Sequence, residues 1–429
     1  MATFSIPEYR VHVDQLQPGV FIKLDGAWFN HPFLFNKFKI KSQEQINTLR
    51  DSGVTEVICV PAKSDKLPRP MPADAQPKAE AVVKKKPDAA TERMWQVKKE
   101  RIEKLKQKRE EIKRCEEKYA KSIAAVPGML TGVMTGSGEA VQNAQALVSD
   151  MADVFLSERD AIVHLMDTKA TDEGLYYHSL NVSVLCLMIG KACGLPAEEL
   201  KAVGVGAMFH DVGKNRIEKK ILRNPHPTKA ELQLIHMHPK YGLELAAKAG
   251  GFTDPSLAVI FQHHERLDGT GYPSRLSGTK IHVGARIAAI ADIYDNLVNN
   301  PDQQKAVTPH QAMSFMFAKL KTKLDMQIFA NFIRCLGIYP PGTLVQLSNE
   351  VLGMVIAVNQ KNPLKPSLLI YDPEIPKEEA IIFDMEEDPD LQVVKSIHPG
   401  QLPPEIFAYL NPRSKVTYYM DHANEDSAK

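Results

Sequence analysis

Seven long helical patterns follow one another through the middle of this chain, and they constrain its fold more than any other feature. Apolar residues recur there at the three- and four-residue spacing of one helix face. The patterns cover residues 140–166, 175–192, 196–209, 228–249, 255–264, 283–298 and 309–336. We therefore expect an all-α domain over residues 138–336.

The N-terminal segment, residues 1–78, has the shorter period of β structure. Val20–Ile22 and Val57–Val60 are strand-like runs, and Ser42 begins a short helix between them. Residues 61–77 are rich in Pro, Ala, Lys and Asp, a composition that predicts a mobile linker. A small α+β domain is the expected structure.

Residues 79–137 are intensely charged and favour helix, so we expect a helical connector. A solvated single helix is the simplest interpretation, because the heptad of a coiled-coil dimer is broken at Lys98 and Arg109, and a homodimer is left open. Residues 337–429 carry β-branched or alternating runs between Asn, Gly and Pro turns, which predict a small β-rich C-terminal piece. The expected fold class is a multidomain, mainly α protein.

The overall charge argues against a general attraction to polyanions. Lys and Arg (53) balance Asp and Glu (52), so neither a nucleic-acid polymer nor an anionic membrane is expected as a partner. No apolar run reaches the ~20 residues of a membrane span and no signal-peptide pattern opens the chain, so we expect a cytoplasmic protein. The five cysteines lack a CxxC motif, which favours reduced thiols: Cys59, Cys115, Cys186, Cys193 and Cys335.

Histidine and aspartate residues at helix ends and on helix faces are the candidate chemical groups. His210 and Asp211 close one helical pattern, and neighbouring helical side chains point ~100° apart, so the pair can serve two ions. His178 or His238 alone would more often be an ordinary core histidine, and His236 has a poorer turn context than His238. As a set, these residue types match the N and O ligands of a two-ion manganese or iron site. The set is His178, His210, Asp211, His238, His263, His264 and Asp292.

Five short motifs make residues 140–336 resemble an HD-GYP domain, the bacterial branch of the HD phosphohydrolase superfamily that hydrolyses cyclic di-GMP. In chain order they are Tyr177–Val182, His210–Lys214, His238-Pro239, His263–Pro273 and Ala285–Asp292. The resemblance covers a little under half of the chain. The strand-rich N-terminal module is similar to a domain of unknown function that often precedes HD-GYP domains.

The resemblance implies that the seven residues above hold a non-haem di-iron or di-manganese centre, with Asp211 bridging the ions. Two such cations lower the pKa of a bridging water, so that a hydroxide can attack phosphorus. Lys214, which follows the doublet by one turn, is placed to offset charge on the phosphate oxygens. Its alternative role is to complement a helix dipole. Asp211 and Lys214 are therefore the expected catalytic residues.

The chain departs from the family pattern at two places. Some members bind a third metal through a glutamate one turn before the first histidine, where this chain has Gly174 and places Glu173 one residue out of phase, so a two-ion centre is expected. The family's Arg-Pro-Tyr segment, which grips the substrate phosphate, is replaced here by residues 299–305. Arg286 and Lys305 are the candidate substitutes for that phosphate contact.

The turn formed by Gly271, Tyr272 and Pro273 permits unusual backbone torsions and close approach of a partner. In the family this turn shapes the site and has been linked to contact with diguanylate cyclase domains, so both uses are expected here.

The leading hypothesis for function is therefore a cyclic di-GMP phosphodiesterase that produces linear pGpG and, by a further step, GMP. Two alternatives remain. One is a phosphohydrolase for another nucleotide, including mixed cyclic dinucleotides. The other is a signalling scaffold that binds cyclic di-GMP or a diguanylate cyclase with little catalysis.

Overall fold

A mainly helical architecture with two small antiparallel sheets emerges in the computed structural model. It describes residues 7–24, 31–33, 36–70, 89–155, 174–300, 302, 305–373 and 375–411. Two units form within the chain: residues 1–107 with 371–382, and residues 108–370 with 383–429. The expected fold class, mainly α with β structure towards both ends, is confirmed.

Where the structure describes it, the first unit contains a four-stranded sheet and one short helix ahead of the connector. Its elements are β1 (Tyr9–His12), β2 (Phe21–Lys23), β3 (Lys37–Lys39), α1 (Gln43–Asp51) and β4 (Glu56–Cys59). The strand order is β1-β4-β2-β3. Helix α1 begins where predicted, because the Ser42 hydroxyl accepts a hydrogen bond from the Gln45 amide at 3.3 Å. Strand β3 was not predicted.

The predicted mobile linker begins later than its composition indicates. Residues 61–70 are held against the sheet by hydrogen bonds: the Gln17 side chain donates to the Leu67 carbonyl at 2.7 Å, and the Arg69 amide donates to the Gln15 carbonyl at 2.7 Å. These long-range contacts leave no trace in local composition. Residues 71–77 of the predicted linker lie outside the described residues.

The charged connector is a single helix, α2 (Ala89–Thr135), of 47 residues. Its surface is not uniformly solvated, which corrects the simplest sequence interpretation. Lys98, one of the two heptad breaks, is only 3% exposed and donates to the His31 carbonyl at 2.9 Å. Burial lowers the pKa of Lys98 to about 7, although the charge of Glu379 acts in the opposite direction.

Among the residues that the structure describes, ten helices of the central region follow α2. They are α3 (Gly138–Phe155), α4 (Gly174–Ala192), α5 (Ala197–Met208), α6 (Lys219–Leu222), α7 (Lys229–Ile235), α8 (His238–Ala249), α9 (Asp254–Gln262), α10 (Val283–Val298), α11 (Pro309–Lys319) and α12 (Met326–Leu336). Apolar faces of α3, α4, α5, α9 and α10 share one core. Helices α4 and α10 are apolar around most of their circumference, as expected for helices at the centre of a bundle.

Two of the predicted helices are each split in the structure. The pattern over 228–249 breaks after Ile235, and α8 restarts with Pro239 in its first turn, where proline fits best. The pattern over 309–336 breaks before Asp325, whose carboxylate accepts from the amides of Gln327 and Ile328 and thereby caps α12. Residues 156–166 of the first pattern lie outside the described residues.

Within its described residues, the C-terminal piece is a five-stranded antiparallel sheet followed by a helix. Its elements are β5 (Leu344–Leu347), β6 (Leu352–Ala357), β7 (Ser367–Ile370), β8 (Ile382–Asp384), β9 (Val393–Ile397) and α13 (Pro404–Leu410). The strand order is β8-β7-β6-β5-β9, two strands more than the sequence patterns predicted. Among the described residues, no helix has the length and apolarity that a bilayer crossing demands. All five cysteines are free, as expected, and the cytoplasmic location stays a prediction.

Candidate metal centre

The seven predicted ligands lie together, although they come from five different parts of the helical region. His178 is on α4, His210 and Asp211 follow α5, His238 opens α8, His263 and His264 follow α9, and Asp292 is on α10. Their donor atoms form two groups, and within each group these atoms lie within 4.8 Å of one another. One group is Asp211, His238, His263 and His264; the other is His178, His210 and Asp292.

Asp211 lies between the two groups and faces both. Its Oδ1 atom is 3.3 Å from Nε2 of His238 and 3.9 Å from Nε2 of His263. Its Oδ2 atom is 3.5 Å from Nε2 of His210 and 3.8 Å from Nε2 of His178. A carboxylate that offers one oxygen to each side has the geometry of a bridging ligand.

Helix ends orient three of the imidazoles. In each case Nδ1 contacts the backbone carbonyl three residues earlier: His210 to Ala207 at 2.6 Å, His238 to Ile235 at 2.8 Å, and His263 to Ile260 at 3.0 Å. A carbonyl oxygen only accepts, so Nδ1 carries the hydrogen. The lone pair on Nε2 is therefore available to a metal ion at the centre of the cluster.

A carboxylate that the sequence analysis did not single out orients the fourth imidazole. Nδ1 of His178 donates to Oδ2 of Asp295 at 2.7 Å. The other oxygen of Asp295 accepts from the amide of Asn181 at 2.9 Å and from that of Asn299 at 2.8 Å. The Tyr119 hydroxyl on α2 donates to the Asn181 amide oxygen at 2.6 Å. Asp295 lies three residues after Asp292, so the helical spacing could have indicated it.

The donor atoms fit a cation better than they fit one another. Nε2 of His178, Nε2 of His210 and Oδ1 of Asp211 are buried and have no hydrogen-bond partner. Nε2 of His238 lies 3.2 Å from Nε2 of His263, and two lone pairs at that distance repel unless a proton or a cation lies between them. Buried polar atoms without partners are costly, and metal ions would satisfy them.

For four of the seven residues, Asp211, Asp292, His263 and His264, the pKa is shifted in the direction that favours the form a metal binds. Burial alone would raise the pKa of Asp211, but Lys214 and His210 hold it well below its usual range. Burial and the neighbouring imidazoles hold the pKa of His263 far below its ordinary value. For His178 the shift is opposite, because Asp292 and Asp295 overcome the effect of burial and raise its pKa to about 10. A metal ion would have to displace that proton.

The predicted phosphate contacts lie in different surroundings. Lys214 is in a 3-10 turn, is 31% exposed, and its Nζ lies 2.5 Å from Oδ2 of Asp211. Arg286 forms an ion pair with Asp325 at 2.7 Å, and Lys305 pairs with Asp302 at 3.0 Å on the surface. These pairings lend no support to a phosphate role for Arg286 or Lys305, which stays a prediction.

The Gly271–Pro273 turn packs directly against the cluster. A side chain at position 271 would lie 2.5 Å from backbone atoms of His264, Glu265 and Arg266, so only glycine fits there. The Tyr272 ring lies 4.7 Å from the ring of His264, between centroids, and stacks at 3.9 Å on His236. His236, which the sequence made a less favoured ligand than His238, thus packs against the tyrosine ring.

Buried Glu265 holds the same loop. Its two oxygens accept hydrogen bonds from the amides of Ser274 at 2.8 Å and Leu276 at 2.9 Å. The residue follows the histidine doublet directly in the sequence, but its role depends on a loop that only the fold defines.

Helix α4 begins at Gly174, and Glu173 lies outside the described residues. Of the segment 299–305 that replaces the family's Arg-Pro-Tyr, residues 301, 303 and 304 also lie outside them.

Two known families match the chain, and one of the matches contains the cluster. Residues 152–328 match the family described as HD domain, and residues 8–144 match a domain of unknown function, DUF3391. This part of the chain is therefore similar to an HD domain. All seven clustered residues lie within the HD match. The DUF3391 match extends beyond the predicted N-terminal domain and includes the connector helix α2.

The curated relatives that resemble the chain include three phosphodiesterases. A cyclic di-GMP phosphodiesterase of Pseudomonas aeruginosa is 29% identical over 84% of this chain and 84% of its own length. The cyclic di-GMP phosphodiesterase response regulator RpfG of Xanthomonas campestris is 30% identical over 41% of this chain and 47% of its own. A 3'3'-cGAMP-specific phosphodiesterase of Vibrio cholerae is 29% identical over 40% of each. The last two matches span less than half of those proteins.

Proposed function

We propose that this chain is a metal-dependent phosphodiesterase that hydrolyses cyclic di-GMP to linear pGpG, with GMP as the product of a further step. The two ligand groups that share Asp211 carry the proposal, because two adjacent metal ions are the usual device for phosphodiester hydrolysis. The relative from Pseudomonas aeruginosa, which matches over most of both chains and is named for this substrate, supports the choice of cyclic di-GMP.

We assign two ions, iron or manganese, to the two groups. Imidazole nitrogens with carboxylate oxygens suit these metals, and neither group contains a cysteine. When bound, the pair supplies a hydroxide nucleophile near neutral pH and holds the phosphate oxygens. The position where family members with a third metal have a glutamate is occupied here by Gly174, which offers no ligand atom from a side chain, and this favours two ions over three.

The residues of the chain then have separate tasks. His178, His210, His238, His263, His264 and Asp292 would hold the ions, and Asp211, which faces both ligand groups, would bridge them. Lys214 lies beside Asp211 and is partly exposed, so its ammonium group can donate to a phosphate oxygen of the substrate. The Gly271–Pro273 turn is our candidate contact for diguanylate cyclases, and a homodimer through α2 stays a prediction.

Metal analysis combined with product chromatography on cyclic di-GMP tests the proposal. We expect two equivalents of bound metal and release of pGpG. His210→Ala should lose both metal and hydrolysis, whereas His226→Ala, which removes an exposed histidine outside the cluster, should keep both. Hydrolysis by a metal-free His210→Ala protein would contradict the assignment of the cluster.

A second candidate substrate is a mixed cyclic dinucleotide, since one relative is named as specific for 3'3'-cGAMP. Parallel assays with cyclic di-GMP and 3'3'-cGAMP would separate the two. Tight binding of either nucleotide to metal-loaded protein without any product would indicate a signalling scaffold instead.

A further inference from the structure

Arg275 adopts a backbone conformation that arginine rarely takes. Its φ angle is +54°, in the left-handed region where glycine costs less than any residue with a Cβ atom. The buried Glu265 carboxylate binds the amides on either side, those of Ser274 and Leu276, and so holds this conformation in place. Residues held in sparsely populated backbone conformations cluster at active sites and ligand-binding segments.

The Arg275 side chain has no structural task within the described part of the chain. It is exposed, and it makes no hydrogen bond or ion pair with any described residue. Five donors in a planar fork are therefore available to a molecule from outside.

The side chain lines an open groove of about 560 Å³ next to α7. Leu234, Met237 and Pro273 give the groove apolar walls, and Gln233 adds an amide. This volume lies within the ~300–1,000 Å³ typical of small-molecule sites. Apolar walls with a few hydrogen-bonding groups suit a planar heterocycle.

The groove adjoins the metal centre through a single ring. Tyr272 lines the groove, and its ring also packs against the ring of His264, one of the clustered ligands. A dinucleotide with its phosphate at the cluster can therefore extend a base into the groove.

We propose that this groove is a base-binding subsite in which Arg275 recognises a guanine of the cyclic dinucleotide, an inference that rests on the proposed function. Guanine presents two acceptors, O6 and N7, that match the guanidinium fork. Adenine presents one acceptor and one donor on the same edge, so one arginine donor would meet another donor. The subsite thus favours guanine over adenine.

Arg275→Gly is the sharpest test, because glycine removes the side chain and fits the backbone. We expect kcat/KM for cyclic di-GMP to fall about 5- to 150-fold, the range of one bidentate base contact, mostly through KM. Hydrolysis of bis(p-nitrophenyl) phosphate, which has no base, should not change, and the preference for cyclic di-GMP over cyclic di-AMP should narrow. Arg275→Lys should restore little, since it keeps the charge without the fork.

Lys280→Ala, which removes another exposed cation, is the matched control and should behave like the natural protein. Thermal unfolding should show Arg275→Gly to be at least as stable. Unchanged kinetics in Arg275→Gly, an equal loss on bis(p-nitrophenyl) phosphate, or full rescue by lysine would each overturn the subsite.

Binding of cyclic di-GMP to chelator-treated protein, measured by calorimetry, separates this inference from the proposed function. Weaker binding by Arg275→Gly, together with no hydrolysis by the metal-loaded natural protein, would keep the subsite and reject the phosphodiesterase. If Arg275→Gly hydrolyses and binds cyclic di-GMP as well as the natural protein does, the phosphodiesterase proposal stands and the subsite is rejected.

Discussion

Replacing Asp295 by asparagine should weaken metal binding without removing any of the seven clustered ligands. Asp295 is 2% exposed, and its carboxylate is the acceptor that holds Nδ1–H of His178 at 2.7 Å. A charged acceptor fixes the imidazole tautomer and makes Nε2 a stronger metal ligand. Asparagine keeps the shape of the side chain but loses the charge.

The expected loss of metal affinity follows from the kind of contact that Asp295 makes. Changing a residue that orients a metal ligand typically costs about 10- to 100-fold in metal affinity, which corresponds to roughly 1.4–2.7 kcal/mol. We expect the upper part of this range, because the Asp295 carboxylate also accepts from Asn181 and Asn299, and both contacts help to fix its position.

Competition with a chromogenic chelator would measure manganese affinity for the natural protein and for Asp295→Asn, with circular dichroism to verify folding. Tyr119→Phe is the graded control, because it removes only the hydroxyl that donates to Asn181 and leaves the bond from His178 to Asp295 in place. We expect Tyr119→Phe to lose less than a third of the manganese-binding free energy that Asp295→Asn loses. A folded Asp295→Asn protein with unchanged manganese affinity would refute the argument.

Three further outcomes follow from the geometry. Lys214→Met should retain metal and lower kcat about 10- to 150-fold, the value of one charged hydrogen bond, and metal loss would show that the lysine serves the ligands instead. Gly271→Ala should lower the free energy of unfolding by about 1–3 kcal/mol because of its backbone clashes, whereas Gly128→Ala, with open space around it, should not. Chelation should lower the Tm of the natural protein, by an amount equivalent to about 2.7 kcal/mol if free metal had been 100 times its Kd.

Much of the helical region could be predicted from the sequence because its signals are local. The pattern of α4 covers one long helix, and the structure agrees with it within a residue. The helix breaks near His236 and before Asp325 were not predicted, because the apolar spacing continues across them. Only the caps and the change of chain direction mark where one helix ends and the next begins. Strands β8 and β9 were missed because short strands depend on their pairing partners for stability.

The candidate ligands could be singled out because each lies in a short motif, either at a helix end or within a helix. The groups that support them could not, since these contacts join distant parts of the chain. His178 and Asp295 are 117 residues apart, and Tyr119 lies 62 residues before Asn181. The proposed role of Arg275 could not be predicted from the sequence either, because it depends on a φ angle and an adjoining groove that exist only in the folded chain.

The charge balance of the cluster links metal binding to the stability of the fold. Asp211, Asp292 and Asp295 are each no more than 3% exposed, and Lys214 is the only lysine in contact with this group of carboxylates among the described residues. Buried charge without compensation is expensive, so the metal-free protein retains a proton on His178, whose pKa rises to about 10. Divalent ions would replace that proton with a larger positive charge. They would also satisfy the buried atoms of the cluster that have no hydrogen-bond partner. The same carboxylates therefore destabilise the metal-free fold and stabilise the fold once the ions bind. Substitutions at the cluster should for this reason change both the free energy of unfolding and catalysis.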